Sequence, residues 1–252
     1  DTKGSPAGAK IAAQEAVAAG VKLVLGPVFS GSVRSAAPTI LDAGLNMIAF
    51  SNNRSVAQPG VFLSGLLPET QIDRVVRFAS SRGLRRIGAL IPPGPFGASV
   101  SKTLRLAATA TGMDVTRIQK YGKTQEEIAS AIRIISDYDN RRNALLKLRE
   151  GLEGREDDGS RSALERLSVL ETLGPVPFDA LLVAASGNNL VIAAAQLGNY
   201  DIDTKRTRIL GTSDWAIEST GREPSLVGAW FATPPVDLAS GFSTRFREMF
   251  KT

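Results

Sequence analysis

The sequence contains no cysteine and no histidine among its 252 residues. The missing cysteines exclude disulfide bonds, thiolate metal sites and a cysteine nucleophile. Without histidine there is no Ser-His-Asp triad, no imidazole general base and no histidine-ligated zinc or iron site. Aromatic residues are also few, at 6% of the chain. The commonest catalytic machinery of hydrolases and metalloenzymes is therefore excluded, and an enzyme would have to use a carboxylate or a lysine.

The sequence also has no long apolar run. Its longest ones, such as Ala180–Ala185 and Leu190–Ala195, have only the length of a strand or a core helix segment, whereas a membrane span needs about 18 or more apolar residues. No membrane span is therefore expected. The chain starts at Asp1 in a polar segment without the charged and apolar regions of a targeting signal. Either the protein is cytoplasmic or such a segment has been removed.

Positive charge is in only mild excess. The chain has 30 Lys and Arg against 25 Asp and Glu, which gives a formal charge of +5. The basic residues are scattered or interleaved with acids, as between Arg141 and Arg166. There is no RNP motif, zinc finger or stripe of basic and aromatic residues. This distribution is typical of a solvated surface, and no nucleic-acid partner is expected.

What the sequence does contain is a regular alternation of short apolar segments with helical patterns. A capping box, Thr124 followed by Glu127, opens one of the helices. Strands that alternate with helices of roughly 10 to 15 residues form parallel βαβ units. The sequence thus predicts an α/β fold in which helices cover both faces of parallel sheets. The predicted strands are Val21–Leu25, Asn46–Phe50, Ile87–Ile91, Met113–Ile118, Phe178–Ala184 and Arg208–Gly211.

A charged segment interrupts this alternation at about Asp137–Leu173. It mixes acidic and basic residues and contains several glycines. We expect an insertion of two solvent-facing helices. The pattern is compatible with a solvated helical hairpin and with an arm that binds a partner.

Four loop regions at the carboxyl ends of predicted strands are candidates for ligand binding, because open parallel sheets bind ligands where strand ends meet helix N-termini. The first, Gly26–Ser32, has the glycine spacing of a phosphate-binding loop but lacks its lysine, so a nucleotide triphosphatase is not expected. Its hydroxyl groups suit a carboxylate or another polar group. The others are Phe50–Asn53, Pro95–Ala98, and Ser186–Asn189 together with Gly211–Trp215.

These loops also have structural interpretations. Ser30 or Ser32 could cap a helix, Phe96 could pack the helix start against the sheet, and Asp214 could cap a turn instead of pairing with an amino group. None of the loops combines a base with a nucleophile. Polar loops of this kind indicate a binding protein rather than an enzyme, and neither a cofactor nor a metal is expected. An enzyme with an α/β fold that uses Asp214 or Lys102 is a further hypothesis, besides the two binding functions given below.

Several segments resemble the type I periplasmic solute-binding proteins, above all the Leu/Ile/Val-type receptors of ABC transporters. The resemblance covers nearly the whole chain through the order and spacing of Asp1–Gly4, Gly20–Pro27, Ser30, Ser32, Ile48–Ser51, Pro95–Gly97, Phe178–Ala180 and Leu210–Ser213. Other features resemble the branch of penicillin-binding protein activators, lipoproteins that stimulate peptidoglycan synthases. These are the charged insertion and the segments Ser136–Asp139 with Arg141 and Arg142, Leu210–Trp215 and Leu226–Phe231.

The resemblance implies two lobes, each a parallel sheet with helices on both faces, and a ligand between them. Residues 1–66 and 238–252 would form lobe 1, and residues 67–237 would form lobe 2 with the insertion at about 137–173. Family members have an additional strand and helix before the segment that matches Asp1 and continue past the last helix, so lobe 1 is expected to be incomplete at both ends.

The resemblance also implies the ligand contacts. The hydroxyl loop at Ser30 and Ser32, with the loop at Phe50–Asn52, would hold a ligand carboxylate. Phe96 would cover the ligand, and an acid near the position of Ser213 or Asp214 would meet its amino group. The sequence departs from the family at Ser186 and Gly187, where an aromatic is often expected. The candidate ligand-binding residues are Ser30, Gly31, Ser32, Phe50, Ser51, Asn52, Phe96, Ser186, Gly187, Ser213 and Asp214.

Two functions follow as hypotheses. The first is a non-enzymatic periplasmic protein that binds a small polar ligand, an amino acid or a related compound, for the permease of an ABC transporter. The alternative is a lipoprotein-type activator of a peptidoglycan synthase that acts through protein–protein contacts, with the insertion as its distinguishing surface. The periplasmic location is implied by the resemblance alone.

Overall fold

The computed structural model describes residues 1–155, 157–216 and 220–251, without the side chains of residues 236–239. The chain divides into two units, Asp1–Thr70 and Gln71–Thr252, called the first and the second unit below. Both have the α/β architecture with parallel strands that the alternating pattern predicts. Thr252, the last residue of the predicted lobe 1, lies outside the described residues.

The first unit contains a three-stranded parallel sheet in the order β1 (Leu23–Leu25), β2 (Asn46–Ala49) and β3 (Val61–Leu63). Helix α1 (Pro6–Ala18) begins where the Ser5 hydroxyl accepts the N–H of Gly8. Helix α2 (Ser30–Asp42) follows β1. The two helices share a core of small buried side chains, which include Ala9, Ala13, Ala36 and Ala37.

One face of this first sheet is buried. Met47 and Ala49 of β2 are fully buried in the same core as Ile40 of α2. Successive side chains of a strand point to opposite faces, and on the other face Leu25 and Phe62 are 65% and 57% exposed. Among the described residues of the first unit, helices therefore cover one face of the sheet.

The second unit contains a five-stranded parallel sheet. Its strands are β4 (Arg86–Ile91), β5 (Asp114–Lys120), β6 (Ala180–Val183), β7 (Arg208–Gly211) and β8 (Trp230–Phe231), in the order β5-β4-β6-β7-β8. Its helices are α3 (Pro68–Ser81, which starts in the first unit), α4 (Gly94–Thr111), α5 (Gln125–Ile135), α6 (Tyr138–Leu152), α7 (Asp158–Ser168), α8 (Gly187–Leu197) and α9 (Val236–Phe250). No helix within the described ranges combines the length and apolarity that crossing a membrane requires.

The strand order places a crevice at the carboxyl ends of β4 and β6. The chain adds β5 on one side of β4 and then returns to add β6 on the other side. At such a reversal the two connecting loops diverge, and ligands bind there. This is where the candidate site of the second unit lies.

Helices cover both faces of the second sheet. Leu181 and Val183 of β6 pack into a core with residues of α5 and α8, whereas Ala180 and Leu182 pack into a second core with residues of α3 and α4. Strands buried on both faces form uninterrupted apolar runs, which is why the pattern of β6 is visible in the sequence.

The remaining predicted elements are present, with boundaries that shift by a few residues. The capping box of α5 forms as predicted: the Thr124 hydroxyl accepts the N–H of Glu127 at 3.2 Å, and the Glu127 carboxylate accepts the N–H of Thr124 at 3.0 Å. The sequence analysis does not predict β3 and β8. These strands are three and two residues long, too short to produce a pattern of their own.

The charged insertion forms two helices, α6 and α7, and Arg141 anchors it. The buried guanidinium of Arg141 donates hydrogen bonds to the carbonyl of Gly174 at 2.8 Å and to the carboxylate of Asp201 at 2.9 Å. From α6, Arg149 donates to the carbonyls of Leu167 and Leu170 at the end of α7. The insertion is therefore fixed to the second unit at its base, and the two inserted helices are joined to each other.

Helix α9 carries a row of exposed aromatic rings. Phe242, Phe246 and Phe250 stand one turn apart, with successive ring centroids 5.9 and 4.7 Å from each other. The membership of residues 238–252 in lobe 1 stays a prediction.

Candidate ligand-binding site

A cavity of about 180 Å³ opens at the carboxyl edge of the second sheet. Four loops contribute to it, those that follow β4, β5, β6 and β7. Of the predicted site residues, Phe96, Ser186 and Asp214 line it together. Its other lining residues are Pro92, Tyr121, Ala184, Ala185, Asn189 and Thr212.

Two aromatic side chains fix the backbone where β6 ends. The Tyr121 hydroxyl donates a hydrogen bond of 2.9 Å to the carbonyl of Ala184, and the Trp215 indole N–H donates one of 2.9 Å to the carbonyl of Ala185. These carbonyls lie beyond the last paired residues of the strand, so they need such partners when buried. Gly211 permits the approach of Trp215, because a Cβ there would lie 2.3 Å from the indole ring.

Burial raises the pKa of the Tyr121 hydroxyl to about 12. The phenolate form would have to exist without water in an apolar setting, which disfavours ionisation. Tyr121 therefore stays a neutral hydrogen-bond donor over the physiological pH range. In this state it holds the end of β6 and contributes its ring to the cavity.

Asp214 provides the charge of this site. It is an exposed residue in the short turn that follows β7, and it is the only ionised side chain among the described residues that line the cavity at neutral pH. A carboxylate in this position attracts a protonated amine and repels an anion. The remaining lining groups are hydroxyls, an amide and apolar surface, which provide hydrogen bonds and packing without charge.

Phe96 is positioned by the tight first turn of α4. The next residue, Gly97, packs so closely against the preceding loop that a Cβ would lie 1.8 Å from the carbonyl oxygen of Pro92. This contact brings the start of the helix against the end of β4. The ring of Phe96 is 37% exposed at the cavity, where it can cover an apolar part of a ligand.

The segments at the start of α8 and after β7 each contribute some residues to this cavity. Ser186 precedes α8 without a side-chain capping bond, so its hydroxyl is not occupied by the helix end, and Gly187 is the first helical residue. Ser213 adjoins Asp214, and its backbone N–H donates a hydrogen bond of 2.7 Å to the Gln71 side chain. Ser213 and Gly187 are not among the lining residues of the cavity.

The other six predicted residues lie in the first unit. Ser30, Gly31 and Ser32 form the first turn of α2, and Phe50, Ser51 and Asn52 follow β2. The backbone N–H of Phe50 donates a hydrogen bond of 3.0 Å to the carbonyl of Pro27, so the structure brings the two loops together at the carboxyl edge of the first sheet. Ser32 and Ser51 are each only 1% exposed, whereas Phe50 is 46% exposed.

The family model of the periplasmic binding proteins matches residues 1–252 of this chain. The chain belongs to the type I periplasmic binding protein family. This membership confirms the resemblance to the type I periplasmic solute-binding proteins, whereas the resemblance to the activator branch stays a prediction. The members of the family are non-enzymatic solute-binding proteins located in the periplasm or outside the cell.

Solved structures with the same fold include solute-binding proteins with different ligands. The ABC transporter substrate-binding protein of Desulfitobacterium hafniense, in complex with Leu, has a TM-score of 0.57 and 14% identity, over 85% of this chain and 54% of that one. The leucine-, isoleucine-, valine-, threonine- and alanine-binding protein of Brucella ovis has a TM-score of 0.56 and 11% identity, over 86% and 50%. A solute-binding protein of R. palustris, in complex with 4-hydroxybenzoate, has a TM-score of 0.52 and 13% identity, over 86% and 51%.

This periplasmic binding protein spans about half the length of the solved structures that it matches. A curated relative is an uncharacterized protein of Rickettsia prowazekii, 24% identical over 121 residues, which are 48% of this chain and 32% of that protein. At these identities the structural likeness establishes the fold, and the ligand has to be argued from the site.

Sequence reasoning missed three polar groups of this periplasmic binding protein's cavity. Tyr121 follows β5, and its hydrogen-bond partner is 63 residues away in the chain, so no local pattern points to it. Thr212 and Asn189 fall in loops that were singled out, but no feature of the sequence distinguishes them from their neighbours. Among the described residues there is no acidic cluster that could hold a metal ion.

Proposed function

We propose that this protein binds a small ligand with a protonated amino group, an amino acid or a close relative of one, for the permease of an ABC transporter in the periplasm. The observation that carries this proposal is the charge of the cavity in the second unit. Asp214 is its only ionised lining side chain in the described part of the chain. A ligand without a positive group would find no counter-charge there.

The relatives bind ligands of two charge types, and the cavity favours one of them. Leucine is a zwitterion at neutral pH, whereas 4-hydroxybenzoate is an anion, and both occur in structures with this fold. A carboxylate at the cavity mouth attracts the ammonium group of the first and repels the second. Phe96 then provides apolar surface for a side chain.

The loops of the first unit provide the second half of the proposed site. Ser30, Gly31 and Ser32 open helix α2, and exposed backbone N–H groups at a helix start favour an anion such as the ligand carboxylate. Phe50, Ser51 and Asn52 flank them. In this proposal, residues 1–66 and 238–252 form one lobe, residues 67–237 form the other, and the ligand binds between the lobes. Ser186, Gly187 and Ser213 complete the contacts around the amino group.

A thermal-shift screen followed by calorimetry tests the proposal. The purified chain is screened against the common amino acids, and 4-hydroxybenzoate and propionate serve as anions without an amine. Saturation with a true ligand at about 100 times its Kd should add roughly 2.7 kcal/mol to the free energy of unfolding. We expect amino acids and not the anions to shift the Tm.

Removal of the Asp214 charge then tests whether the ligand binds at this cavity. Asp214→Asn should weaken amino-acid binding at least about tenfold, because a charge-assisted hydrogen bond is lost. Asp114→Asn, an exposed change at the opposite end of the sheet, is the matched control and should leave the affinity unchanged. A hit with 4-hydroxybenzoate alone, or equal affinities in both variants, would contradict the proposal.

The activator function is kept as the second candidate because the insertion exposes apolar side chains. Leu146 and Leu148 on α6 are 46% and 41% exposed, and Val169 after α7 is 81% exposed. Deletion of the insertion would remove the anchoring Arg141 and the buried Leu145, so point variants are the better test. The double variant Leu146→Ser, Val169→Ser should abolish binding to a purified peptidoglycan synthase and leave the Tm unchanged. Binding of the synthase that survives both changes would exclude this surface as the binding site.

A further inference from the structure

Gln71 joins two parts of the second unit that are distant in the chain. Its side chain lies near the start of α3 and accepts the backbone N–H of Ser213 at 2.7 Å, across 142 positions of the sequence. The acceptor is the amide oxygen, because the donor is an N–H group. Gln71 is thus bonded to the turn that carries Asp214, although it is not among the residues that line the cavity.

The turn that carries Asp214 needs an acceptor at its start. Ser213–Trp215 is a 3₁₀ helix of three residues, and the N–H groups at the start of a helix have no partner within it. Thr212, the residue before the turn, makes no capping bond with its side chain. Gln71 therefore provides from a distant helix the acceptor that a capping residue provides from the preceding position.

The other end of the turn is held by Trp215. This side chain is 2% exposed, and its indole N–H donates a hydrogen bond of 2.9 Å to the carbonyl of Ala185. The ring also packs directly on Gly211, the last residue of β7. The turn is thus fixed at its first residue by Gln71 and at its last by Trp215, with Asp214 between them.

The side chain of Asp214 depends on this backbone for its position. It is exposed, and within the described part of the chain its carboxylate makes no hydrogen bond and no ion pair. Its full capacity to accept hydrogen bonds is therefore open to a ligand. The same freedom means that no side-chain contact fixes the carboxylate, so its place at the cavity is set by the turn.

Gln71 is itself held in place by the core of the second unit. It is half-buried, and the next residue, Ile72, is fully buried in the same core as Leu210 of β7, the strand that leads into the turn. We propose that Gln71 is a positioning residue of the amino-acid site, which holds Asp214 where it meets the ammonium group of a bound amino acid. This inference rests on the proposed function and adds to it a residue outside the cavity.

Amide hydrogen exchange of Ser213, measured by NMR on the isotope-labelled full chain without ligand, tests the hydrogen bond. Gln71→Met keeps the length of the side chain without its acceptor and should speed this exchange about fivefold. Gln71→Glu keeps an acceptor oxygen and should retain the slow exchange. Gln125→Met is the matched control, because Gln125 is an exposed glutamine at the start of α5 whose side chain makes no hydrogen bond with the described residues. Equal exchange of Ser213 in Gln71→Met and Gln125→Met would overturn the proposal.

Calorimetric titration with leucine, or with whichever common amino acid shifts the Tm most, tests the positioning of Asp214. Gln71→Met should weaken binding of the amino acid about fivefold, whereas Gln71→Glu and Gln125→Met should bind it as tightly as the unaltered protein does. In the Asp214→Asn background, Gln71→Met should weaken binding no further, because both residues act through one contact with the ammonium group. A purely structural role would weaken binding in both backgrounds alike.

The outcomes separate this proposal from the proposed function. Additive losses of affinity in the double variant, or equal affinities of Gln71→Met and Gln125→Met, would overturn the role of Gln71 and leave the amino-acid site intact. If the unaltered chain binds none of the common amino acids while Ser213 exchanges faster in Gln71→Met, the proposed function fails. The hydrogen bond of Gln71 would then be structural, and its positioning role would be excluded.

Discussion

The hydroxyl of Tyr121 donates a hydrogen bond of 2.9 Å to the main-chain carbonyl of Ala184. Tyr121 follows β5 and Ala184 follows β6, and β4 lies between these two strands in the sheet. The hydrogen bond therefore spans the carboxyl end of β4 and joins directly two loops that are otherwise linked through backbone hydrogen bonds to β4. It is part of the wall of the candidate site.

The first prediction concerns the stability of the protein at alkaline pH. The pKa of Tyr121 is raised to about 12, whereas a tyrosine in the unfolded chain titrates near 10. Above about pH 10 the unfolded state releases this proton while the native state retains it, so the free energy of unfolding falls as the pH rises. Denaturant unfolding at about pH 8 and about pH 11 measures the effect.

Tyr121→Phe should flatten this alkaline loss of stability and lower the free energy of unfolding by about 1 kcal/mol at neutral pH, because Ala184 loses its donor. Tyr200→Phe is the control, since the ring of Tyr200 packs edge-on against Tyr138 and its hydroxyl makes no hydrogen bond with the described residues. Identical pH profiles for Tyr121→Phe and the unaltered protein would show that the hydroxyl titrates normally.

The second prediction concerns acid stability and Asp179. Burial alone would raise the pKa of this carboxyl, but hydrogen bonds from the Arg86 side chain and from the backbone of Arg86 and Arg85 outweigh it and lower the pKa below 3.8. The native carboxylate thus stabilises the fold above the pKa of the unfolded chain, and this stabilisation is lost as the pH falls through the lower native pKa.

Asp179→Asn should lower the free energy of unfolding by about 2 kcal/mol at neutral pH and make it less sensitive to acid. Urea unfolding between about pH 7 and about pH 3 measures both effects. Asp73→Asn breaks an exposed pair with Arg77 on α3 and should change little. Equal destabilisation by the two substitutions would mean that Asp179 acts as an ordinary surface charge.

The sequence was sufficient for the α/β fold and for three of the nine residues that line the cavity. Each βαβ unit has a local signature, as in the apolar run of β6 and the capping box at Thr124. Parallel strands place their carboxyl ends at one edge of the sheet, so loops found separately in the sequence were expected to meet. Phe96, Ser186 and Asp214 do line one cavity.

The parts that the sequence did not reveal depend on contacts distant in the chain. Strand β8 has two residues, and it is defined by its pairing with β7. Asp179 gains its role from hydrogen bonds to residues 93 and 94 positions away. Arg141 of the insertion likewise gains its partner Asp201 from 60 positions away in the chain. No local pattern encodes such partners.

The third prediction compares two helical glycines. At Gly97 an alanine Cβ would lie 1.8 Å from the carbonyl oxygen of Pro92, so the start of α4 would have to move and would displace Phe96. Gly151 in α6 has no atom within 4 Å of that position. Gly97→Ala should therefore destabilise the protein by more than about 1 kcal/mol and weaken ligand binding.

Gly151→Ala should instead stabilise the protein by about 0.5 to 1 kcal/mol, because alanine is the better helix former and nothing obstructs it. Chemical unfolding of both variants, with amino-acid titration of the folded proteins, measures these effects. Stabilisation by Gly97→Ala would show that α4 does not need the close contact with Pro92.

The last prediction concerns two buried serines of the first unit. Ser32 is 1% exposed, and its hydroxyl oxygen has no hydrogen-bond partner among the described residues. Ser51 is equally buried, but its hydroxyl accepts the N–H of Asn53 at 3.2 Å. A buried hydroxyl without a partner costs free energy. Ser32→Ala should therefore raise the free energy of unfolding of the ligand-free protein by up to about 1 kcal/mol.

Ser51→Ala, the matched control, should lower that free energy by about 1 kcal/mol, because it removes a hydrogen bond that is made. If Ser32 contacts the ligand as proposed, Ser32→Ala will also weaken amino-acid binding while it stabilises the empty protein. A gain in stability together with a loss of ligand affinity would show that Ser32 serves binding rather than folding. A loss of stability in Ser32→Ala as large as that in Ser51→Ala would mean that the Ser32 hydroxyl is satisfied in the folded protein, and its role would then be structural.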